Sequence, residues 1–324
     1  MKRLFIILCA TFGLLGNNAF AWEPDRMISA YSPFSPGSGN EIAFRIVTKE
    51  IEAKSKIKFQ VVHKPGAGGS LANQLINKHV GDGYTVGILS APTLGATDKI
   101  MLPNKEYSVT DFSYVLNISS IPMTIVTVPE DPVNNISDLA KVLKTEKTVI
   151  GDPGSAARLV YELLVQHIGF VEGPENIVRV EYKGPADTLK DVMGKQIRFG
   201  IMPLTIAYEN HKAGKVKIIA VTSEKEIPTL PGVKTAAYMY PDFVFNLDIG
   251  IVLPPNTPKD IVSWYEKTFK TALNSTDVRK SLELQMMFVD NKLLSPENYT
   301  KYMVSYDKKY SRIVDKVIAT INSK

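Results

Sequence analysis

The sequence predicts an α/β chain of two lobes, each a mainly parallel sheet flanked by helices. Short β-rich runs alternate with helix-period stretches along almost the whole chain, the pattern of parallel strands joined by helical crossovers. Nine runs have strand character, many for one open sheet with so many helical segments between them, so two sheets are expected. Proline-marked segments at Ser120-Ile121-Pro122 and Tyr240-Pro241-Asp242 offer two places for the chain to cross between lobes and return. The expected division is residues 22–122 with 247–324 as one lobe and 123–246 as the other.

Residues 1–21 read as an address rather than as fold. Lys2 and Arg3 form a charged start, Leu4 to Leu15 an apolar stretch, and Ala19-Phe20-Ala21 a small-x-small cleavage site. The apolar run is interrupted by Thr11 and Gly13 and ends at Gly16-Asn17-Asn18, short of the ~20 residues that cross a bilayer. A cleavable export signal and a mature chain from Trp22 are expected. The one cysteine, Cys9, lies inside the apolar stretch, away from any site for lipid attachment, so the exported chain would fold without disulfides on a conventional apolar core.

The strands expected in order are Met27–Tyr31, Phe59–His63, Tyr84–Leu89, Met123–Val128, Thr148–Gly151, Ile177–Tyr182, Ile197–Ile201, Val216–Thr222 and Asp248–Leu253. Thr257-Pro258 and Ser295-Pro296 each place a capping hydroxyl before a proline at the first helical position. In the last helix Tyr299, Tyr302, Met303, Tyr306, Tyr310, Ile313, Val314, Val317 and Ile321 recur at three and four, a packing face and not a cofactor box.

Charge argues against nucleic acid. The formal net charge is +5, and without residues 1–21, which hold two bases and no acid, it falls to +3. Lys301, Lys308, Lys309 and Lys316 are scattered along an amphipathic helix and are not interleaved with aromatics on one strand face.

The informative feature occurs four times: a strand ends, a loop of Gly, Ser, Pro or Ala follows, and a helix begins. The loops are Ser35-Pro36-Gly37-Ser38-Gly39-Asn40, Lys64-Pro65-Gly66-Ala67-Gly68-Gly69-Ser70, Gly151-Asp152-Pro153-Gly154-Ser155 and Lys183-Gly184-Pro185-Ala186. Glycine lets backbone N–H groups approach a ligand, and a helix N-terminus adds unpaired donors with about half a positive charge. Singly, such loops are ordinary connectors. Two fall in each expected lobe, so all four can face one cleft at the carboxyl ends of the sheets. Two carboxylates with about two charge-assisted hydrogen bonds each, roughly 1.5 to 3 kcal/mol apiece, would gain on the order of 6 to 12 kcal/mol. Against an association cost of about 4 kcal/mol or more, that suits micromolar binding, which needs about 8 kcal/mol.

At these loops the chain resembles the substrate-binding receptors of tripartite tricarboxylate transporters, the family often called Bug receptors. The resemblance spans nearly the whole mature chain. It rests on Ser32-Pro33-Phe34-Ser35-Pro36-Gly37 leading to Arg45, Lys64 to Gly69, Asp82-Gly83-Tyr84-Thr85, Gly151 to Ser155, Tyr182-Lys183-Gly184, Ala220-Val221-Thr222, and Leu253 to Pro258. It implies a two-lobed periplasmic binding protein, type II-like, of a Gram-negative bacterium. Such a receptor carries no cofactor, is expected to be a monomer, and delivers a carboxylate to the large and small permease components of a membrane transporter.

In that scheme Phe34, Ser35, Gly37, Ser38 and Asn40 belong to the first binding loop and Ala67, Gly68, Gly69 and Ser70 to the second. Gly154, Ser155 and Tyr182 belong to the opposing lobe, with Ser90 and Thr93 as additions after the third strand. The acid itself stays open among di- and tricarboxylates, amino acids and aromatic carboxylates. Gly68→Val is expected to abolish binding and leave the fold intact. Two departures stand out: the family usually has two adjacent glycines and then an aspartate in the first loop, whereas this chain has Gly37-Ser38 and then Glu41. Where the family tends to have asparagine before the second loop, this chain has His63.

An enzyme is not expected. There is no Gly-x-Ser-x-Gly elbow, no phosphate-loop or dinucleotide fingerprint, and no metal-spaced His or Cys cluster, and His79, His167 and His211 sit toward helix ends. A hydrolase is therefore the weakest alternative. The stronger one is an exported sensor that presents its bound carboxylate to a membrane signalling protein.

Overall fold

The computed structural model describes residues 22–95, 97–169 and 175–322, so the expected export signal lies outside the described residues. β1 (Ile28–Ser32) leads through α1 (Gly39–Lys54) and β2 (Phe59–His63) to a 3-10 turn (Ala67–Gly69) fused to α2 (Ser70–Lys78). β3 (Thr85–Ser90) is followed by two single-turn helices, α3 (Ala91–Leu94) and α4 (Asp98–Met101), and then by the long β4 (Ser113–Thr127). The middle of the chain runs α5 (Ile136–Thr145), β5 (Thr148–Asp152), α6 (Ser155–Ile168), β6 (Ile177–Glu181), α7 (Pro185–Met193), β7 (Phe199–Pro203), α8 (Leu204–Lys212) and β8 (Lys217–Val221). β9 (Asn246–Leu253), α9 (Lys259–Leu273), α10 (Thr276–Leu284) and α11 (Pro296–Asn322) complete it.

The strands line up as β2-β1-β3-β9-β4-β7-β5-β6, with β8 also on β4. β2, β1 and β3 run parallel, as do β7, β5 and β6, each triplet joined by helical crossovers. Between the triplets stand β9 and β4, antiparallel to their neighbours. The architecture is two-lobed α/β, with two parallel units meeting across an antiparallel pair.

β4 explains how one strand serves both units. From Ser113 to Pro122 it pairs with β9, and from Met123 to Thr127 it pairs with β7 and β8. The residue at the handover is a proline, which has no N–H to leave unpaired where the partner changes. The sequence predicts this strand only from Met123, with the segment at Pro122 as a crossing between lobes. The first half is in fact strand.

Helix starts follow local chemistry, with one correction. Ser295 Oγ accepts from the Asn298 N–H at 3.3 Å as α11 begins at Pro296, as expected. At α9, Pro258 is itself the cap and keeps extended backbone, while the Thr257 hydroxyl donates to the Pro254 carbonyl at 2.7 Å. Thr257 closes a turn, and does not cap the helix.

The expected stripe of α11 is buried at Tyr299, Met303, Tyr306, Tyr310, Ile313 and Val314, with Tyr302 partly buried against the same core. The side chains of Val317 and Ile321 lie outside the description. α11 packs on both β4 and α6, and Tyr310 donates its hydroxyl to the Val244 carbonyl at 2.7 Å. The helix therefore lies across the strands that join the two units. Gly250 of β9 has no side chain because the Tyr299 ring occupies the space.

Candidate functional site

The first, second and post-β3 loops meet. A Cβ on Gly69 would lie 3.1 Å from Pro33 and 3.4 Å from Thr93, so these three segments touch at a glycine with φ +105°. Ser90 and Thr93 share a hydrogen bond between their hydroxyls at 3.0 Å, and both are buried. Asn73 of α2 donates to the Thr93 carbonyl at 2.7 Å and holds the second loop against α3. α3 in turn packs against α6, whose first residue is Ser155. The carboxyl ends of both parallel triplets thus come to one seam.

In the first loop Ser38 caps α1, and its Oγ accepts from the Glu41 N–H at 3.5 Å. Glu41 reaches back and accepts from the Gly37 N–H at 2.9 Å, a capping box shifted by one residue. The same carboxylate takes Arg45 Nε at 2.6 Å and stands 3.0 Å from His63 Nε2. Burial raises the Glu41 pKa, but hydrogen bonds from Gly37, His63 and Arg45 outweigh it and bring the carboxyl down to about 2. Asn40 is buried and donates to the Ile88 carbonyl at 2.8 Å, which ties α1 to β3. Phe34 is half-buried and Ser35 exposed, its carbonyl accepting from Ser38 N–H at 3.2 Å.

The second loop differs. Ala67, Gly68 and Gly69 all have positive φ, a left-handed stretch that glycine meets at two of the three positions. Among the described residues no acceptor meets the N–H of Ala67 or Gly68. The Ser70 hydroxyl, only 1 % exposed, lies by the Tyr107 hydroxyl. Two open backbone donors stand at the N-terminus of α2.

The third loop holds a carboxylate of its own. Gly154 (φ +72°) donates its N–H to Asp152 Oδ1 at 2.7 Å. Asp152 is fully buried and gripped by Arg179 at 2.6 and 2.9 Å, and the same guanidinium reaches Glu181 at 2.8 Å. The Tyr182 ring packs over Gly151, and its hydroxyl donates to Asp191 at 2.8 Å. Burial, then the Asp191 carboxylate, pushes that phenol up to about 12.

Of the residues read from the sequence, Ala67 and Gly68 present N–H groups that meet no acceptor among the described residues, whereas Asn40, Ser90, Thr93 and Tyr182 spend their side chains inside the chain. The reading missed the Asp152–Arg179–Glu181 cluster, because Arg179 sits on a different strand and only the β5–β6 register brings it near. It also missed Met101, whose Cγ would stand 3.0 Å from a Cβ on Gly68. The Ser38-x-x-Glu41 spacing was the legible signal for the capped first loop. A surface cavity of about 420 Å³ runs along α2 from Leu71, next to the second loop, and one of about 290 Å³ lies between α1 and α9. Among the described residues no three His, Cys, Asp or Glu side chains group as metal ligands.

Comparison with known proteins shows the family. Residues 43–318 match the family model described as "Tripartite tricarboxylate transporter family receptor". Protein BugT of Bordetella pertussis is 24% identical over 294 residues, covering 88% of this chain and 89% of its own. The solved structure of periplasmic binding protein BugD is 26% identical, with TM-score 0.74, covering 91% of this chain and 98% of its own. A Rhodopseudomonas palustris protein with bound malate shares the fold at 22% identity and TM-score 0.76, covering 90% of this chain and 100% of its own.

Proposed function

This chain belongs to the tripartite tricarboxylate transporter receptor family, and from that premise we propose that it captures a small carboxylate in the periplasm and delivers it to a membrane transporter's large and small permease components. The lobes are residues 22–122 with 247–324, and 123–246, and they close on the ligand. It is a solute-binding receptor, not an enzyme. Among the described residues no helix is long and apolar enough to cross a membrane.

The observation that carries the reading is the second loop. The N–H groups of Ala67 and Gly68, which meet no acceptor among the described residues, and the positive end of α2 converge there. A carboxylate has acceptor-only oxygens and a charge to match them.

The test is a thermal-shift screen of the chain from Trp22, unfolded and refolded to strip bound ligand, against carboxylates, amino acids and neutral sugars. A shift confined to carboxylates is expected, since a ligand that binds only the folded state stabilises it by mass action. A shift with neutral sugars alone, or with nothing, would overturn the reading. Delivery is tested by deleting either permease gene, which should abolish uptake of the same acid.

A further inference from the structure

The second loop keeps an unfavourable shape. Ala67 has φ +45°, a conformation that a side chain disfavours and that persists only where the surroundings impose it. What imposes it lies behind the loop, in a cluster of buried polar side chains.

Asp98 opens α4, is fully buried, and takes Lys105 Nζ at 2.6 Å. The same ammonium stands 4.9 Å over the Tyr107 ring, so carboxylate and ring hold one cation between them. The Tyr107 hydroxyl lies by Ser70 and by Asp98, and it accepts from Asn73 Nδ2 at 3.2 Å. That amide also donates to the Thr93 carbonyl at 2.7 Å, beyond the second loop. Burial, then the Asp98 charge, pushes the Tyr107 phenol above its usual pKa, so it stays a neutral hydroxyl able both to accept and to donate.

Resting on the carboxylate-receptor reading, we propose that Tyr107 is a positioning residue of that receptor: anchored by Lys105 and Asp98, its hydroxyl holds the first turn of α2 through Ser70 and Asn73, and so fixes the second loop in the shape that presents the Ala67 and Gly68 N–H groups. Tyr107 is only 6% exposed and acts through these residues, not on a ligand. α4 works from the other side, since Met101 at its end lies against Gly68. A single helical turn has no stability of its own. This one is fixed by Asp98, by the Thr97 hydroxyl on the Pro92 carbonyl at 2.8 Å, and by Lys99 Nζ on Ser311 Oγ of α11 at 3.1 Å. A buried network of this kind sets geometry more sharply than its separate bonds would.

Tyr107→Phe keeps the ring under Lys105 and removes only the hydroxyl. The refolded chain from Trp22 is titrated calorimetrically with malate, adipate, benzoate and glutamate, and amide hydrogen exchange is followed in the ligand-free protein. Each acid that binds the wild type is expected to bind Tyr107→Phe at least fivefold more weakly. The Gly69 amide, bonded to the Gly66 carbonyl at 2.9 Å, should exchange at least fivefold faster, and the Gly154 amide, bonded to Asp152 at 2.7 Å in the other unit, should not change. A purely structural role would lower the melting temperature and leave affinity and Gly69 exchange as they were. Unchanged affinity, unchanged Gly69 exchange, or equal acceleration at Gly154 would overturn the proposal and leave the carboxylate receptor standing. Binding of none of the four acids by the wild type would overturn both.

Discussion

Oε2 of Glu41 lies 3.0 Å from Nε2 of His63, so a single carboxylate joins the first glycine loop to the strand end from which the second loop departs. These are the two positions at which the chain departs from the usual family pattern. In space they are partners. Glu41 also holds the Gly37 N–H, so the geometry of both loops depends on one buried side chain.

The Glu41 pKa is lowered from 4.5 to about 2. A carboxyl whose folded pKa is depressed contributes stability above its unfolded pKa and loses it as pH falls through the folded value. The full shift corresponds to roughly 3 kcal/mol, and solvent screening of the mostly exposed Arg45 brings the expected loss in Glu41→Ala to about 2 kcal/mol at pH 7. Urea melts should show that loss shrinking to under about 1 kcal/mol at pH 2.5. An equal deficit at both pH values would mean the side chain acts by packing alone.

Asp248 behaves in the opposite sense. It is buried on β9, accepts from the hydroxyls of Ser120 and Tyr302, and its pKa is raised by burial to about 6 despite those bonds. A raised folded pKa means stability present at low pH and lost as pH climbs through 6, by about 1 kcal/mol between pH 5 and pH 7. Asp248→Asn should flatten that part of the stability profile. Buried Asp98, also raised to about 6 and paired with Lys105 at 2.6 Å, leaves a residual slope of the same sign. A profile as steep as the wild type's would show that Asp248 titrates elsewhere.

Ser70→Ala separates binding from folding. It removes a buried hydroxyl that lies by the Tyr107 hydroxyl, so the ligand-free chain should lose no more than about 1 kcal/mol. Loss of a charge-assisted hydrogen bond should weaken carboxylate binding about tenfold. Lost stability with unchanged affinity would place Ser70 in the core and not in the site.

Gly68 is a less clean target than its loop suggests. With φ +62° and Met101 pressed against it, Gly68→Val would strain the backbone as well as block the ligand, so an intact fold is not the expected outcome. Gly68→Ala should cost about 1 kcal/mol and reduce affinity at least tenfold. Wild-type affinity would remove the second loop from the site.

Closure of the lobes should be visible in solution. β4 is a single strand shared by both units, with Pro122 where its partners change, which suits a hinge more than a slide. Small-angle scattering should give a smaller radius of gyration with saturating ligand than without. Superimposable curves would argue for a site that forms without closure.

Local chemistry was enough for much of this protein. The runs from Met27 to Leu253 announced eight of nine strands to within a few residues, since alternation and flanking turn residues act over short distances. The loops and the order of their motifs placed the family. Tertiary structure alone decided the rest. That β4 extends back to Ser113 depends on β9, more than a hundred residues away, pairing through Pro122. That Gly37 and Gly154 are occupied donors, while Ala67 and Gly68 are open, depends on where the carboxylates of Glu41 and Asp152 arrive. A glycine in a sequence states what the backbone can do; whether its N–H is free is settled by acceptors that only folding brings within reach.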